Sequence, residues 1–192
     1  MSKLVVSEFV TLDGVMEDPG GSEGFDRGGW AFKFERGPEG DKFKLDEALA
    51  ADALLLGRKT YEGFAEAWPS RTDEIGFADK MNTMPKFVVS TTLDEPEWNN
   101  STVIKGDVAA EISRLKQQPG QDLLVYGSGK LVGTLLQHDL VDELRLMVFP
   151  VVLGSGKRLF ADGAGMSGFK LAETKPTGEV VTLILHRAEE GS

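Results

Sequence analysis

A single short segment of the chain carries residues suited to holding an anion. Between positions 123 and 136, a strand-like apolar run meets a helix-like one at a glycine turn. The turn and the helix start consist of Gly127, Ser128, Gly129, Lys130 and Leu131. Glycine lets the backbone approach a ligand closely, and the free N–H groups of a first helical turn attract anions. The segment therefore favours a phosphate or pyrophosphate, although a tight turn without a ligand has the same pattern.

Two familiar glycine motifs do not match this turn. A P-loop requires glycine five residues before Gly129 and Ser or Thr after Lys130, where this chain has Leu124 and Leu131. A dinucleotide-binding fingerprint normally occupies the first strand–helix turn of its domain, whereas this turn lies late in the chain. The anion site, if present, belongs to another type.

Composition limits the class of protein. The 192 residues fit one domain, and the net charge of −10 argues against nucleic acid as a partner. No apolar run reaches the roughly 20 residues that span a bilayer, and the first residues meet a charge too early for a secretory signal. With no cysteine and two distant histidines, we expect no metal centre and a cytoplasmic location.

The same negative charge repels an anionic cofactor, so a phosphate site needs local donors. Five basic residues lie next to glycines or one position further along: Arg58, Lys59, Lys130, Lys157 and Arg158. Some of them are expected to be ordinary solvated surface charges. The others would supply the local positive charge that a phosphate requires.

Periodicity predicts strands alternating with helices in the first two thirds of the chain and mainly strands afterwards. Predicted strands cover 3–10, 53–56, 86–91, 101–104, 123–126, 142–153 and 168–186, and predicted helices cover 41–52, 107–117 and short stretches after Gly57 and Gly129. This order indicates one α/β domain, with a core over about 3–187 and a short disordered C-terminal tail. Its sheet is mostly parallel and flanked by helices, with antiparallel strands at the C-terminal edge.

Three predicted strand ends carry similar chemistry. One leads into Gly57, Arg58, Lys59 and Thr60; the second leads into Ser90 and Thr91; the third leads into the glycine turn at 127–129. The carboxyl ends of parallel strands form one edge of a sheet and the usual ligand crevice. An adenine dinucleotide phosphate needs such glycines, hydroxyls and an arginine there. The sequence therefore predicts that these residues bind NADPH.

These motifs resemble those of the dihydrofolate reductase-like superfamily over roughly residues 3–186. The branch most similar is the reductase domain of bifunctional riboflavin-biosynthesis deaminase-reductases. The resemblance is carried by the motifs Thr11-Leu12-Asp13-Gly14, Gly28-Gly29-Trp30, Gly57-Arg58-Lys59-Thr60-Tyr61-Glu62-Gly63-Phe64, Trp98-Asn99-Asn100-Ser101 and the stretch 149–160. No Cys-x-x-Cys or His-x-Glu is present, so the zinc deaminase half is missing.

The resemblance implies an NADPH-dependent reductase of a small heterocycle, either a riboflavin-pathway aminouracil or a pterin. In such a reductase Arg58 and Thr60 face the cofactor phosphates, and the glycine pair lies at the pyrophosphate. Hydride transfer asks for orientation and exclusion of water rather than a catalytic triad. A non-catalytic or regulatory NADP-binding protein on the same fold is the alternative function.

Candidates for direct catalysis and for substrate contact are fewer. Asp13 matches the turn near the nicotinamide in the riboflavin branch, and Asp41 lies near the position of the carboxylate that serves pterin binding. Asp13 is equally well explained as part of a turn-forming Asp-Gly pair, and Asp41 as a solvated charge at a helix start. Trp30, Tyr61 and Phe64 are expected to wall the substrate pocket, although aromatic side chains at such positions commonly pack in a core.

The apolar strand at 144–153 suggests a homodimer. Both of its faces are largely apolar, and such a strand must be covered on both. No helix follows late in the chain to cover it, and related reductases are similar in pairing through this part of the fold. The alternative is that the strand is central and buried by its own domain.

Overall fold

The computed structural model describes residues 1–120 and 122–188, which form one eight-stranded sheet with helices on both faces. The strands are β1 (Leu4–Thr11), β2 (Ala51–Gly57), β3 (Lys86–Val89), β4 (Ser101–Ile104), β5 (Asp122–Tyr126), β6 (Glu143–Phe149), β7 (Phe169–Thr177) and β8 (Val180–Arg187). The helices are α1 (Gly37–Ala50), α2 (Arg58–Ala67), α3 (Phe77–Thr83), α4 (Val108–Gln117) and α5 (Gly129–Gln137), with a 3-10 turn at Trp30–Lys33.

The strand order is β4-β3-β2-β5-β1-β6-β8-β7. The six strands from β4 to β6 are parallel to one another, and β8 and β7 are added antiparallel at the C-terminal edge. This arrangement confirms the predicted α/β class and the mostly parallel sheet. It also brings the ends of β2, β3 and β5 to one edge, as the sequence predicted.

Alternation along the strands explains the two-sided core. Leu55 and Val125 join a cluster with Ile112 of α4 and Leu131 of α5. Their neighbours in sequence face the other way and pack with helices α2 and α3; these are Leu54, Leu56, Leu124 and Tyr126. Because successive side chains of a strand point to opposite faces, continuous apolar runs produce strands that are buried on both sides.

Two predicted strands differ from the structure, which also contains one helix that was not predicted. The strand predicted at 142–153 ends at Phe149. The stretch 168–186, predicted as one strand, is the β7–β8 hairpin, which reverses at Gly178 with φ of +59°. A Cβ at Gly178 would lie 2.3 Å from the Glu35 carbonyl oxygen, so only glycine fits this turn. Helix α3 was not predicted from the sequence; its first amides, those of Phe77 and Ala78, donate to the Asp73 carboxylate at 3.0 and 2.7 Å.

The strand at 144–153 was expected to need a partner subunit as cover, and this expectation is wrong, because the strand is central in its own domain. It lies between β1 and β8. The side chains of Leu144, Leu146, Met147 and Phe149 are all buried within the chain. One face of β6 packs in the core cluster that includes α5, and the other packs against Trp30 and against Phe43 of α1, so its own domain covers both faces.

Two further expectations concern the chain as a whole. The disordered tail falls on residues 189–192, which lie outside the described residues. No helix within 1–120 or 122–188 is long and apolar enough to cross a membrane.

Candidate functional site

The starts of helices α2 and α5 lie side by side at the carboxyl edge of the sheet. The Ser128 hydroxyl accepts a hydrogen bond from the Gly57 amide at 2.6 Å and donates to the Thr60 hydroxyl at 3.0 Å. In the described structure neither helix has a side-chain cap at its N-terminus. Two sets of first-turn amides and two positive dipole ends therefore converge on one place, which is the local arrangement an anion needs.

The close approach of the two helices depends on glycine at specific positions. Gly127 has φ of +63°, and a Cβ there would lie 2.6 Å from the Thr60 hydroxyl oxygen. A Cβ at Gly57 would lie 2.8 Å from the Ser128 hydroxyl oxygen. Ser128 itself adopts the left-handed conformation, with φ of 63° and ψ of 60°, which is uncommon for a residue with a side chain. Such backbone strain is typical of functional turns.

The first turns of α2 and α5 and the turn at 127–129 form a cradle that fits the pyrophosphate of a dinucleotide. Its small residues leave the backbone accessible, and its local donors offset the repulsion by the negative net charge of the protein. Thr60 and Ser128 contribute hydroxyls at its base. The side chain of Leu131 is buried in the core, so only its backbone is available to a ligand. Lys130 is exposed beside the turn.

The outer basic and hydroxyl residues lie on the side of β2 and β3. Arg58 is in the first turn of α2 and pairs with Glu62 at 3.1 Å, both side chains being partly exposed. Lys59 is exposed next to it. The Ser90 hydroxyl accepts hydrogen bonds from the amides of Thr92 and Leu93 at 3.2 and 3.0 Å and so shapes the turn after β3. Thr91 at that turn is exposed.

A buried polar cluster next to this edge was missed in the sequence analysis. Glu47 of α1 accepts hydrogen bonds from the hydroxyls of Ser7 and Tyr126 at 2.9 and 3.0 Å. Lys44 pairs with the same carboxylate, and its ammonium lies 4.5 Å from the centre of the Tyr126 ring. Burial and the neighbouring Glu47 raise the pKa of Tyr126 well above its usual value. The cluster fixes polar groups on the α1 face of β1 and β5.

Glu8 is a second buried group that the sequence analysis missed. Its residue is 6% exposed, and its Oε1 has no hydrogen-bond partner within the described residues. Burial raises the pKa of Glu8 well above its usual value, against the lowering effects of Lys44 and of the Gly127 amide. One signal was available: Ser7 and Glu8 are a polar pair inside an apolar strand.

The two candidate catalytic carboxylates are occupied by partners within the chain. Asp13 accepts hydrogen bonds from the Thr11 hydroxyl at 2.6 Å and from the amides of Leu153 and Gly154 at 3.2 and 2.8 Å. The Thr11 hydroxyl is the main cause that lowers the pKa of Asp13 to about 2. Asp41 pairs with Arg36 at 2.5 Å on the surface. Their part in catalysis stays a prediction.

The aromatic residues predicted to wall a substrate pocket do not share one wall. Trp30 is fully buried, donates its indole N–H to the Glu17 carbonyl at 2.8 Å and packs edge-on against Phe149. Tyr61 is buried in another cluster, where its hydroxyl accepts from the Trp98 amide at 2.9 Å. Phe64 is partly buried in that second cluster. Substrate contact by these three rings stays a prediction.

The fold is that of the dihydrofolate reductase-like reductases, as solved structures show. A protein from Shewanella sp. PV-4 has a TM-score of 0.71 at 21% identity, covering 98% of this chain and 100% of its own. Dihydrofolate reductase from Enterococcus faecalis, complexed with NADP(H) and RAB-propyl, has a TM-score of 0.58 at 15% identity, covering 97% of both chains. These similarities establish the architecture and not the substrate.

The chain belongs to the family of the RibD C-terminal domain, whose model matches residues 2–183. Two Bacillus subtilis (strain 168) relatives, the uncharacterized proteins YyaP and YwjB, are 30% and 32% identical. YyaP is matched over 96% of this chain and 94% of its own length, and YwjB over 97% and 98%.

A structural neighbour from Thermotoga maritima is a diaminohydroxyphosphoribosylaminopyrimidine deaminase/5-amino-6-(5-phosphoribosylamino)uracil reductase. It has a TM-score of 0.61 at 15% identity, and the match covers 97% of this chain but 57% of that one. The family membership confirms the resemblance seen in the sequence motifs. The family and the neighbouring folds together support a reductase-type fold.

Proposed function

We propose that this protein is an NADPH-dependent reductase that delivers a hydride to a small heterocyclic substrate. The single observation that carries the proposal is the pair of uncapped helix starts joined by the Ser128 hydroxyl. They fit a pyrophosphate, and this chain has the fold of a dihydrofolate reductase that was solved with NADP(H).

The proposed cofactor contacts follow from the strand ends. The amides of Gly129, Lys130 and Leu131 hold the pyrophosphate with the first turn of α2. Arg58 and Lys59 hold the 2′-phosphate, because a phosphate dianion gains from charge-assisted hydrogen bonds. Arg58 would exchange its partner Glu62 for that phosphate. The turn at Ser90 and Thr91 borders the adenosine.

When bound, the nicotinamide supplies the hydride, and the chain orients the reactants and excludes water. Glu47, Lys44 and Tyr126 hold one another in fixed positions, so the α1 face of β1 and β5 provides a rigid polar floor. Asp13 ties the turn after β1 to the segment at Leu153 and Gly154. With a pKa of about 2, Asp13 is ionised at neutral pH and acts in this proposal by positioning those backbones.

The substrate class we propose is an aminouracil of the riboflavin-pathway type or a pterin. Support comes from the family and from the reductase activity stated for the Thermotoga maritima neighbour. The test is the fall in NADPH absorbance when the purified protein meets a panel of such heterocycles. Oxidation of NADPH that depends on one acceptor supports the proposal. If NADPH binds tightly but none of the acceptors causes its oxidation, the proposal of a reductase is rejected.

The alternative is an NADP-binding protein without catalysis, which would use the same phosphate cradle. A Cβ at Gly129 would lie 2.8 Å from the Met16 sulfur, so Met16 lies directly on the first turn of α5. The site is partly closed by the chain itself. Binding without turnover across the acceptor panel would support this second function.

A homodimer and a cytoplasmic location stay part of the proposal, without the argument from β6. Light scattering at micromolar concentration tests the dimer, and a mass near the 20.8 kDa of one chain contradicts it. Fractionation of cells that express the protein tests the location.

A further inference from the structure

The two strands that flank the glycine turn separate at Glu8. The β1–β5 ladder ends where Ser7 pairs with Tyr126, whereas β1 continues beside β6 as far as Thr11. After Tyr126, the last residue of β5, the backbone turns away from β1 through Gly127. A notch therefore opens between β1 and β5, and Glu8 and Gly127 are the first residues on its two sides.

The Glu8 side chain is at the base of this notch, on the face of the sheet that α5 covers. Val6 and Val10, two positions away on the same strand, belong to the core cluster on that face, as does Leu146 opposite. Glu8 is thus a carboxyl among apolar side chains, with Oε1 lacking a partner in the described structure. A buried polar group without a hydrogen bond is costly, and a leucine at this position would avoid that cost.

The strand order indicates which part of a dinucleotide reaches the notch. The pyrophosphate site lies between β2 and β5, and the residues proposed for the adenosine lie at β2 and β3. The remaining half must extend the opposite way along the sheet edge, toward β1. The nicotinamide half would reach Glu8 first, after the flexible Met16 side chain moves away from Gly129.

We infer that Glu8 binds the carboxamide of the cofactor's nicotinamide. A carboxylic acid and a carboxamide are complementary, since each offers one N–H or O–H donor beside one carbonyl acceptor. The pairing would give Oε1 the partner it lacks. This inference rests on the proposed function and deepens it by naming the residue that distinguishes the nicotinamide end from other groups.

The test compares Glu8→Gln and Glu8→Leu for binding of two ligands by calorimetry. NADPH carries the carboxamide, whereas 2′-phospho-ADP-ribose lacks the whole nicotinamide. Glutamine has an amide that pairs with a carboxamide as well, so Glu8→Gln should bind NADPH nearly as the natural protein does. Glu8→Leu should lose about tenfold in NADPH affinity, the size of one buried hydrogen bond, and nothing for 2′-phospho-ADP-ribose.

A cofactor analogue sharpens the assignment. When an acetyl group replaces the carboxamide, the N–H donor is gone while the carbonyl acceptor stays, and we expect Glu8→Leu to lose less affinity for this analogue than for NADPH. Urea unfolding of each variant checks that the fold is kept. Equal affinity of Glu8→Leu and the natural protein for NADPH overturns the inference, as does an equal loss for both ligands.

The outcomes separate this inference from the proposed function. A natural protein that binds neither ligand rejects the cofactor proposal and the Glu8 assignment with it. A natural protein that binds 2′-phospho-ADP-ribose as tightly as NADPH keeps the phosphate site and overturns the Glu8 assignment alone.

Discussion

Ser128 and Gly57 are 71 positions apart in sequence, yet the Ser128 hydroxyl accepts the Gly57 amide at 2.6 Å. This bond fixes the start of α2 against the turn before α5. Each helix start is an ordinary feature, and a helix N-terminus alone attracts anions weakly at an exposed site. Held together, they form the phosphate cradle on which the proposed cofactor site depends.

The hydroxyl and the backbone of Ser128 can be tested separately. Ser128→Gly removes the hydroxyl and relieves the left-handed strain, whereas Ser128→Ala removes the hydroxyl and keeps the strain. Loss of the partner of a buried amide costs about 1–3 kcal/mol. We expect both variants to be less stable in urea unfolding, with the alanine variant worse. An alanine variant as stable as the natural protein would show that the Ser128–Gly57 bond contributes little.

Gly127→Ala should destabilise the protein by about 2 kcal/mol or more, because it adds a Cβ at positive φ and against Thr60. The matched control is Gly133→Ala in α5, the helix that follows this turn. A Cβ at Gly133 meets nothing within 4 Å, and alanine should stabilise the helix by about 0.5–1 kcal/mol. Urea unfolding measures both. Similar effects of the two substitutions would contradict the special role of Gly127.

Arg58→Ala should weaken NADPH binding much more than NADH binding, because only NADPH carries the 2′-phosphate. The control is Glu62→Gln, which removes the acidic partner of Arg58 while leaving the arginine in place. That variant should bind NADPH at least as tightly as the natural protein. Titration of both cofactors by fluorescence makes the comparison. Equal losses for NADPH and NADH in Arg58→Ala would remove the 2′-phosphate assignment and leave the pyrophosphate site unaffected.

Glu8 should make the stability of the natural protein fall as pH rises. Burial raises its folded pKa well above its ordinary value, so the unfolded chain releases this proton first. The contribution of Glu8 to stability therefore falls from about pH 4.3 upward until its folded pKa is reached. Glu8→Gln cannot ionise, and its stability relative to the natural protein should grow across that window. Urea unfolding at several pH values measures this difference, and a constant difference would contradict a raised pKa.

Asp13 should hold the segment at Leu153 and Gly154 through its carboxylate. Its folded pKa is lowered to about 2, so its stabilising effect is present above the unfolded value of about 3.9 and is lost as pH falls through about 2. Asp13→Asn keeps the shape but removes the charge. Amide hydrogen exchange at Leu153 and Gly154 should become faster in this variant at neutral pH. Unchanged exchange would show that these amides do not depend on the Asp13 carboxylate.

Local signals in the sequence determined much of the architecture. Asp107 caps α4 by accepting the Ala110 amide at 3.1 Å, and the helix ends at Gln117 as predicted. The glycine turn at 127–129 begins α5, and the order of strands and helices gave the mostly parallel sheet. These features succeed because caps, turn residues and side-chain periodicity act within a few positions.

Longer apolar stretches were ambiguous, because their partners lie far away in sequence. The strand at 144–153 has the same apolar pattern whether a partner subunit or its own domain covers it. Only the packing of α5 on one face and of Trp30 and Phe43 on the other decides the matter, and Trp30 and Phe43 are distant from the strand in sequence. An apolar pattern predicts that a face of the strand is buried but does not identify the segment that buries it.

The chemistry of the candidate site divides in the same way. The residue types of the phosphate cradle were visible in the sequence, since Gly57, Thr60, Gly127 and Ser128 each follow a predicted strand. The pairing of Glu47 with Tyr126, 79 positions away, and the burial of Glu8 where β1 and β5 separate were decided by the tertiary structure alone. Burial and charge pairing arise only when distant segments meet, and these set the protonation and contacts of a side chain.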